Sequence, residues 1–105
     1  MSERRSRDYW AYAGPFLFNP REASRIFFGK SRNWIVSLDG KITDREGYPW
    51  FPSRNEHGER YYSLDDIRTI TLGLVKAIQL QGYQAEPIFD VIESMERLWD
   101  GRIPD

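Results

Sequence analysis

The sequence predicts an α+β domain that is mostly helical, with about four helices and a small antiparallel β element. Apolar residues spaced three and four apart recur through residues 64–99, which is typical of amphipathic helices. Ahead of them, residues 42–63 contain two glycine-bearing turns separated by aromatic residues, a pattern that favours short antiparallel strands. A chain of 105 residues has room for one core. We therefore expect a single domain over residues 19–105, preceded by an arm over residues 1–18.

The arm has two parts of different character. Residues 1–8 are polar and basic, whereas residues 9–18 are rich in aromatic side chains. Residues 16–18 are expected to form either a short strand or a cover over the core, because a small domain needs additional apolar surface to bury. An exposed patch that binds a partner protein is the alternative for the aromatic stretch.

The first helix is predicted to begin at Asn19, followed by Pro20 at the first helical position and Glu22 at the third. Gly29 is expected to end it. Three apolar residues share its inward face: Ala23, Ile26 and Phe27.

A second helix is predicted from Ser31, as its N-cap, to Leu38, with Gly40 ending it. Its inward residues are Trp34, Ile35 and Leu38, and its outward residues are Arg32, Asn33 and Ser37.

The later helices are predicted from the same kinds of signal. Ser63 and Asp66 form a capping-box pattern that opens the third helix, and the fourth is expected to start near Glu86 and Pro87. The inward residues of the third are expected to be Leu64, Ile67, Ile70, Leu74, Val75 and Ile78. Those of the fourth are expected to be Ile88, Val91, Ile92, Met95, Leu98 and Trp99.

Composition excludes several classes of function. The chain has no cysteine and one histidine, so the sequence offers neither a thiolate metal site nor a histidine cluster, and we expect no metal, no cofactor and no enzymatic activity. With no long apolar run, we expect a cytoplasmic protein without a membrane segment. The net charge of −1 hides an asymmetry: residues 1–60 hold 11 Lys/Arg against 8 Asp/Glu, and residues 61–105 hold 4 against 8.

Residues 54–82 carry a resemblance to a known family. An Arg-flanked turn leads through a Tyr-Tyr pair and Ser63 into a helix that ends before Gly82, with an upstream helix–turn–helix pattern over Asn19 to Leu38. The order and approximate spacing are similar to those of the MerR-type winged helix-turn-helix domain, and the similarity extends over Asn19 to Trp99. The matching residues are Arg54, Gly58, Arg60, Tyr62, Asp66, Ile70, Leu74 and Gly82.

The resemblance implies sequence-specific binding of double-stranded DNA. The expected function is that of a small transcriptional regulator or an excisionase, of phage or prophage origin, with integrase, RNA polymerase or a host protein as possible further partners. Because the long dimerisation helix of the family has no counterpart here, a monomer in solution or a dimer on DNA is expected.

The candidate DNA contacts fall in two places. The start of the second helix offers side chains that suit base edges in the major groove, since Arg pairs with guanine and Asn with adenine. The wing, the hairpin around Asn55–Gly58, offers side chains suited to phosphates. The predicted site residues are Lys30, Ser31, Arg32, Asn33, Ser37, Lys41, Arg54, Asn55, His57, Arg60 and Tyr61.

Two other interpretations compete with DNA binding. The same scaffold can serve as a protein-interaction module that engages a host or partner protein through aromatic or acidic surfaces. The run Gly29-Lys30-Ser31 resembles the end of a phosphate-binding loop, but that motif requires glycine where Ser24 stands. The second of these is therefore disfavoured.

Overall fold

The computed structural model describes the backbone of residues 16–102 and the side chains of residues 16–98. Within that range it is an α+β arrangement of four α-helices and one three-stranded antiparallel sheet, as predicted. Most of the predicted arm lies outside the described residues, as does the side chain of Trp99. In chain order, the elements are β1 (Leu17–Phe18), α1 (Pro20–Ala23), a π-helical turn (Ser24–Phe28), α2 (Arg32–Val36), β2 (Ser53–Arg54), β3 (Arg60–Ser63), α3 (Leu64–Lys76) and α4 (Gly82–Arg102).

The sheet has β3 at its centre, in the order β1-β3-β2. Phe18 lies opposite Tyr62 in the first pairing, and Arg54 lies opposite Arg60 in the second. Of the two alternatives expected for residues 16–18, a short strand or a cover over the core, the structure shows the strand, over Leu17–Phe18. We call residues 53–63, which comprise β2, the turn and β3, the hairpin.

The first helix begins with the predicted capping box. The Asn19 side chain accepts a hydrogen bond from the Glu22 amide at 2.8 Å, and the Glu22 carboxylate accepts one from the Asn19 amide at 3.0 Å. The helix then widens into the π-helical turn and ends at Gly29, which has the left-handed φ of 64°. The wider turn rotates the residues that follow, so Ile26 is half exposed rather than buried with Ala23 as predicted.

The core lies between the sheet, α2, α3 and α4. Ile35, Tyr62, Ile67 and Ile70 are fully or almost fully buried. On α4 the inward stripe is narrower than predicted, because the side chains that pack inward are spaced by three, four and three: Ala85, Ile88, Ile92 and Met95. The predictions for Val91 and Leu98 were wrong, since both lie on the shoulders of this stripe and are exposed.

The connection between α3 and α4 differs from the prediction at both ends. Ile78 was expected in the core, yet α3 ends at Lys76 and the Ile78 side chain is 80% exposed. The fourth helix begins at Gly82 instead of near Pro87, and the Gln81 amide donates to Gln84 Oε1 at 2.8 Å across its first turn. Pro87 thus lies inside the helix, where it removes one backbone donor.

Ile78 has an unusual backbone conformation. Its φ of 59° is left-handed, a region that costs a β-branched residue about 1–2 kcal/mol. The reason is a Schellman closure of α3, in which the Gln79 amide donates to Leu74 O at 2.9 Å and the Ile78 amide to Val75 O at 3.0 Å. This closure normally takes glycine at the position that Ile78 occupies.

Replacing Ile78 with glycine should therefore stabilise the protein, by about 1 kcal/mol once the greater freedom of glycine in the unfolded chain is included. Little apolar burial is lost, because the side chain is mostly exposed. Chemical denaturation of Ile78→Gly against the parent measures the effect. The control is Ile26→Gly, another exposed isoleucine but with a helical backbone, which should be destabilising. Equal destabilisation by both substitutions would contradict the strain at Ile78.

None of the helices within residues 16–102 has the length and apolar character needed to cross a lipid bilayer.

Candidate nucleic-acid interface

The turn between α1 and α2 is fixed by a buried serine. The Ser24 hydroxyl, fully buried at the start of the π-helical turn, donates to Ser31 O at 2.6 Å. The Lys30 amide donates to Ser24 O at 3.2 Å, which closes the same turn from the other side. Ser31 caps α2 as predicted, by accepting a 3.4 Å hydrogen bond from the Trp34 amide. The direction in which α2 starts is thereby set by local hydrogen bonds.

The outward face of α2 is available for contacts with a ligand. Arg32 and Asn33 are exposed in its first turn, and their side chains form no hydrogen bond or ion pair with the residues that the structure describes. The opposite face is held by buried Ile35 and by Trp34, whose ring packs on Phe28 with centroids 5.1 Å apart. Because these anchors fix the rotation of the helix, Arg32 and Asn33 are presented to solvent.

Three further predicted contacts near α2 have different surroundings. Ser37 is exposed, but its hydroxyl donates to Trp34 O at 2.6 Å and is thus bound to the backbone of its own helix. Lys30 precedes α2 and Lys41 follows it, and both side chains are exposed. The two lysines remain candidates for phosphate contacts, whereas the Ser37 hydroxyl already has a partner.

In the hairpin turn, Asn55 is a structural residue. Its Oδ1 accepts hydrogen bonds from the amides of His57 and Glu59, both at 2.9 Å, and its Nδ2 donates to Glu59 Oε1 at 3.0 Å. Gly58 completes the turn with a φ of 79°. The amide group of Asn55 is therefore occupied within the turn, while the His57 side chain projects from it and is exposed.

The two arginines that flank this turn are opposite each other in the ladder but have different environments. Arg54 is exposed and uses NH1 to donate to Gly58 O at 2.8 Å, which leaves its other donors facing solvent. Arg60 is half-buried, and its Nε and NH2 both lie 2.8 Å from Asp39 Oδ2. Both arginines were predicted as contacts of the wing, but their environments differ: Arg54 is exposed to solvent, whereas Arg60 is paired with a carboxylate.

Tyr62 interacts electrostatically with both members of this ion pair. Burial of the ring and the nearby Asp39 carboxylate raise the pKa of the Tyr62 phenol to about 12, with the Arg60 guanidinium acting in the opposite direction. The phenol is therefore neutral at physiological pH. Its hydroxyl is buried and has no hydrogen-bond partner among the described residues.

A cleft of about 790 Å³ brings parts of the predicted site together. It lies between the hairpin, the start of α1 and the start of α2, and its walls carry both arginines and carboxylates. The predicted residues that line it are Arg32, Asn55, Arg60 and Tyr61. The lining residues that the sequence prediction did not include are Leu17, Phe18, Asn19, Pro20, Arg21, Glu22, Gly58 and Glu59.

The other predicted residues lie outside the lining of this cleft: Lys30, Ser31, Asn33, Ser37, Lys41, Arg54 and His57. Arg21 was missed although the sequence carries a signal for it, since the capping box at Asn19 places Arg21 in the first turn of a helix. Asp39 was also missed, and no local pattern distinguishes it from any other loop carboxylate.

Over the part of the chain that the structure describes, no group of three or more potential ligands comes together to hold a metal ion.

No family model matches the chain, and comparison with curated proteins and with solved structures finds no match either.

Proposed function

We propose that this chain binds double-stranded DNA, as a small transcriptional regulator or an excisionase-type protein. In this proposal the first turn of α2 enters the major groove, with Arg32 and Asn33 contacting base edges. The hairpin acts as a wing that lies along the phosphate backbone beside it.

The observation that carries the proposal is the cleft shared by α2 and the hairpin. Arg32 opens into the same space as Arg60 and Tyr61, so a helix start and a hairpin face one side of the molecule. Arg21, at the start of α1, adds a third basic side chain to that side. A duplex presents its groove and its backbone next to each other, and two adjacent elements that carry cations suit such a surface.

The balance of charges on this side predicts moderate affinity. Arg54 is exposed, but Arg60 is neutralised by Asp39, and Glu56 and Glu59 belong to the hairpin turn. Few free cations mean few counterions released, so we expect a shallower salt dependence than that of a wholly basic wing.

The proposal is tested by selection from a pool of random duplexes, followed by titration of the enriched site. An enriched sequence that binds in the nanomolar range and loses affinity as salt is raised supports DNA binding. Absence of enrichment, with only weak binding that is the same on all duplexes, would reject sequence-specific recognition.

A further prediction concerns Arg54. Arg54→Ala should weaken binding to the enriched site and to random duplex by similar factors, since phosphate contacts carry no sequence information. The slope of log K against log salt should flatten by roughly 0.9, because the variant neutralises one phosphate fewer. The matched control is Arg97→Ala, an exposed arginine near the end of α4, which should leave the slope unchanged. A weakening confined to the enriched site would instead make Arg54 a base-reading residue.

A second candidate function is binding to a protein, and a different surface favours it. The loop between α2 and β2 exposes two aromatic side chains, Tyr48 and Phe51. Phe51 lies against Gly40, where an added Cβ would come within 2.8 Å of its ring. Exposed aromatic side chains are enriched at protein interfaces. A purified partner whose binding persists at high salt and is abolished in Tyr48→Ala would favour this candidate over DNA.

A further inference from the structure

We infer that Asp39 is a positioning residue for DNA binding: it holds the hairpin against the end of α2 through Arg60. This role rests on the proposed function. Asp39 is an acidic residue next to an interface for an acidic ligand, so its charge alone would be expected to weaken binding. In this role Asp39 nevertheless strengthens binding.

The anchor point on the helix side is well fixed. The Asp39 amide donates to Val36 O at 3.2 Å, which continues the last turn of α2. The next residue, Gly40, donates its amide to Trp50 O at 2.8 Å. Asp39 therefore has a backbone tied to the helix that carries Arg32 and to the loop that leads to the hairpin.

On the hairpin side, the ion pair holds the end of β3 that is not paired with β1. The pairing of β3 with β1 involves Tyr62 and Ser63, whereas Arg60 is at the other end of β3, next to the turn. Arg60 is opposite Arg54, whose guanidinium binds Gly58 O and so stiffens the tip. A tether at Arg60 therefore controls the direction in which the tip of the hairpin points.

Arg60 has a strong reason to stay with Asp39 when DNA binds. The side chains are only 20% and 16% exposed, and two N–H donors of Arg60 converge on Asp39 Oδ2. Asp39 Oδ1 is buried with no hydrogen-bond partner among the described residues. If Arg60 moved to a phosphate, a largely buried carboxylate would lose its counter-charge, which is strongly unfavourable. Arg60 therefore acts through Asp39 and not as a phosphate contact.

The first test is the sign of the effect of Asp39→Ala on DNA affinity. If Asp39 positions the hairpin, Asp39→Ala should weaken DNA binding by about tenfold, because the loss of one charge-assisted contact of the wing changes affinity by about that factor. The matched control is Glu56→Gln, which removes a negative charge from the exposed turn and should strengthen binding. Stronger binding by Asp39→Ala, with a steeper salt dependence, would overturn the inference, because it would show that Asp39 merely restrains Arg60 from reaching phosphate.

The second test asks whether Asp39 acts through the hairpin. In a double-mutant cycle with Arg54→Ala, the weakening caused by Asp39→Ala should largely disappear, because a hairpin that no longer binds phosphate gains nothing from being positioned. A general decrease in stability would not produce this coupling at a temperature well below unfolding. Additive effects of the two substitutions would overturn the inference.

If Asp39→Ala fails to fold, Asp39→Leu keeps a similar side-chain volume while removing both acceptor oxygens and the charge, and the same signs apply. The orientation of the hairpin in the free protein provides a readout that needs no DNA. Residual dipolar couplings of the amides of residues 54–60, relative to those of α3, should change in Asp39→Leu and remain unchanged in Glu56→Gln. Unchanged couplings in both would overturn the inference even if DNA binding is confirmed. If the couplings change in the Asp39 variant but the parent protein does not bind DNA, the positioning of the hairpin by Asp39 is supported and the proposed function is rejected.

Discussion

Replacing Ile92 with alanine should lower the free energy of unfolding by about 2–5 kcal/mol. Ile92 is fully buried at the middle of the inward stripe of α4, between Ile88 and Met95. Truncation removes three carbon atoms from a site enclosed by rigid elements, so the loss of apolar burial is accompanied by a residual cavity. Chemical denaturation followed by circular dichroism measures the change, with an unchanged m-value as the check that the two states are comparable.

The adjacent residue provides the control. Val91 is on the shoulder of the same helix and is 38% exposed, so Val91→Ala should cost much less than Ile92→Ala. Similar costs for the two substitutions would show that α4 is rotated relative to the arrangement described. Equal stability of Ile92→Ala and the parent would show that α4 does not pack on the core at all.

Helix starts that carry a side-chain cap were the part of the fold that the sequence predicted best. The capping boxes at Asn19 and Ser63 were both recognised and both form, because each is a contact between residues three apart. Such a signal depends only on local geometry, so no tertiary information is needed to detect it.

Helix ends, helix faces and the start of α4 were predicted less well because tertiary contacts decide them. Ile78 continues the apolar spacing of α3, but the chain must turn there for α4 to pack back, and the isoleucine takes a strained left-handed conformation. The preference of proline for a first turn favoured a helix start near Pro87, and packing of Ala85 on the core extends the helix five residues further back. At Ile26, the π-helical turn changed the period on which the prediction depended.

In the candidate site, too, features set by local geometry could be predicted from the sequence, whereas features set by tertiary contacts could not. Ser31 could be predicted as a cap and Arg32 as an outward residue, because both follow from helical geometry. The difference between Arg54 and Arg60 could not be predicted, since the two are symmetric about the turn in sequence. Only the tertiary contact with Asp39, 21 residues away, distinguishes Arg60 from Arg54 by pairing it with a carboxylate.

Arg32→Ala and Asn33→Ala should each reduce the preference for the enriched DNA site, and we expect the non-specific affinity to be affected much less. If either side chain makes two hydrogen bonds with a base edge, its removal should lower discrimination by about 1–3 kcal/mol. Both side chains are exposed, and neither forms a hydrogen bond or ion pair with the residues that the structure describes. Truncation should therefore leave the thermal stability close to that of the parent. The measurement is the ratio of affinities for the enriched site and for a scrambled duplex at one fixed salt concentration.

Arg25→Ala is the matched control, because Arg25 is an exposed arginine in the π-helical turn that precedes α2. We expect it to leave the ratio of affinities unchanged, whereas Arg32→Ala should lower it. The base read by each side chain can then be identified by repeating the titration with single base-pair changes, since a variant without the reading side chain becomes indifferent to that base pair. If both α2 variants retain the discrimination of the parent, α2 does not read the sequence, and the placement of its first turn in the major groove is wrong.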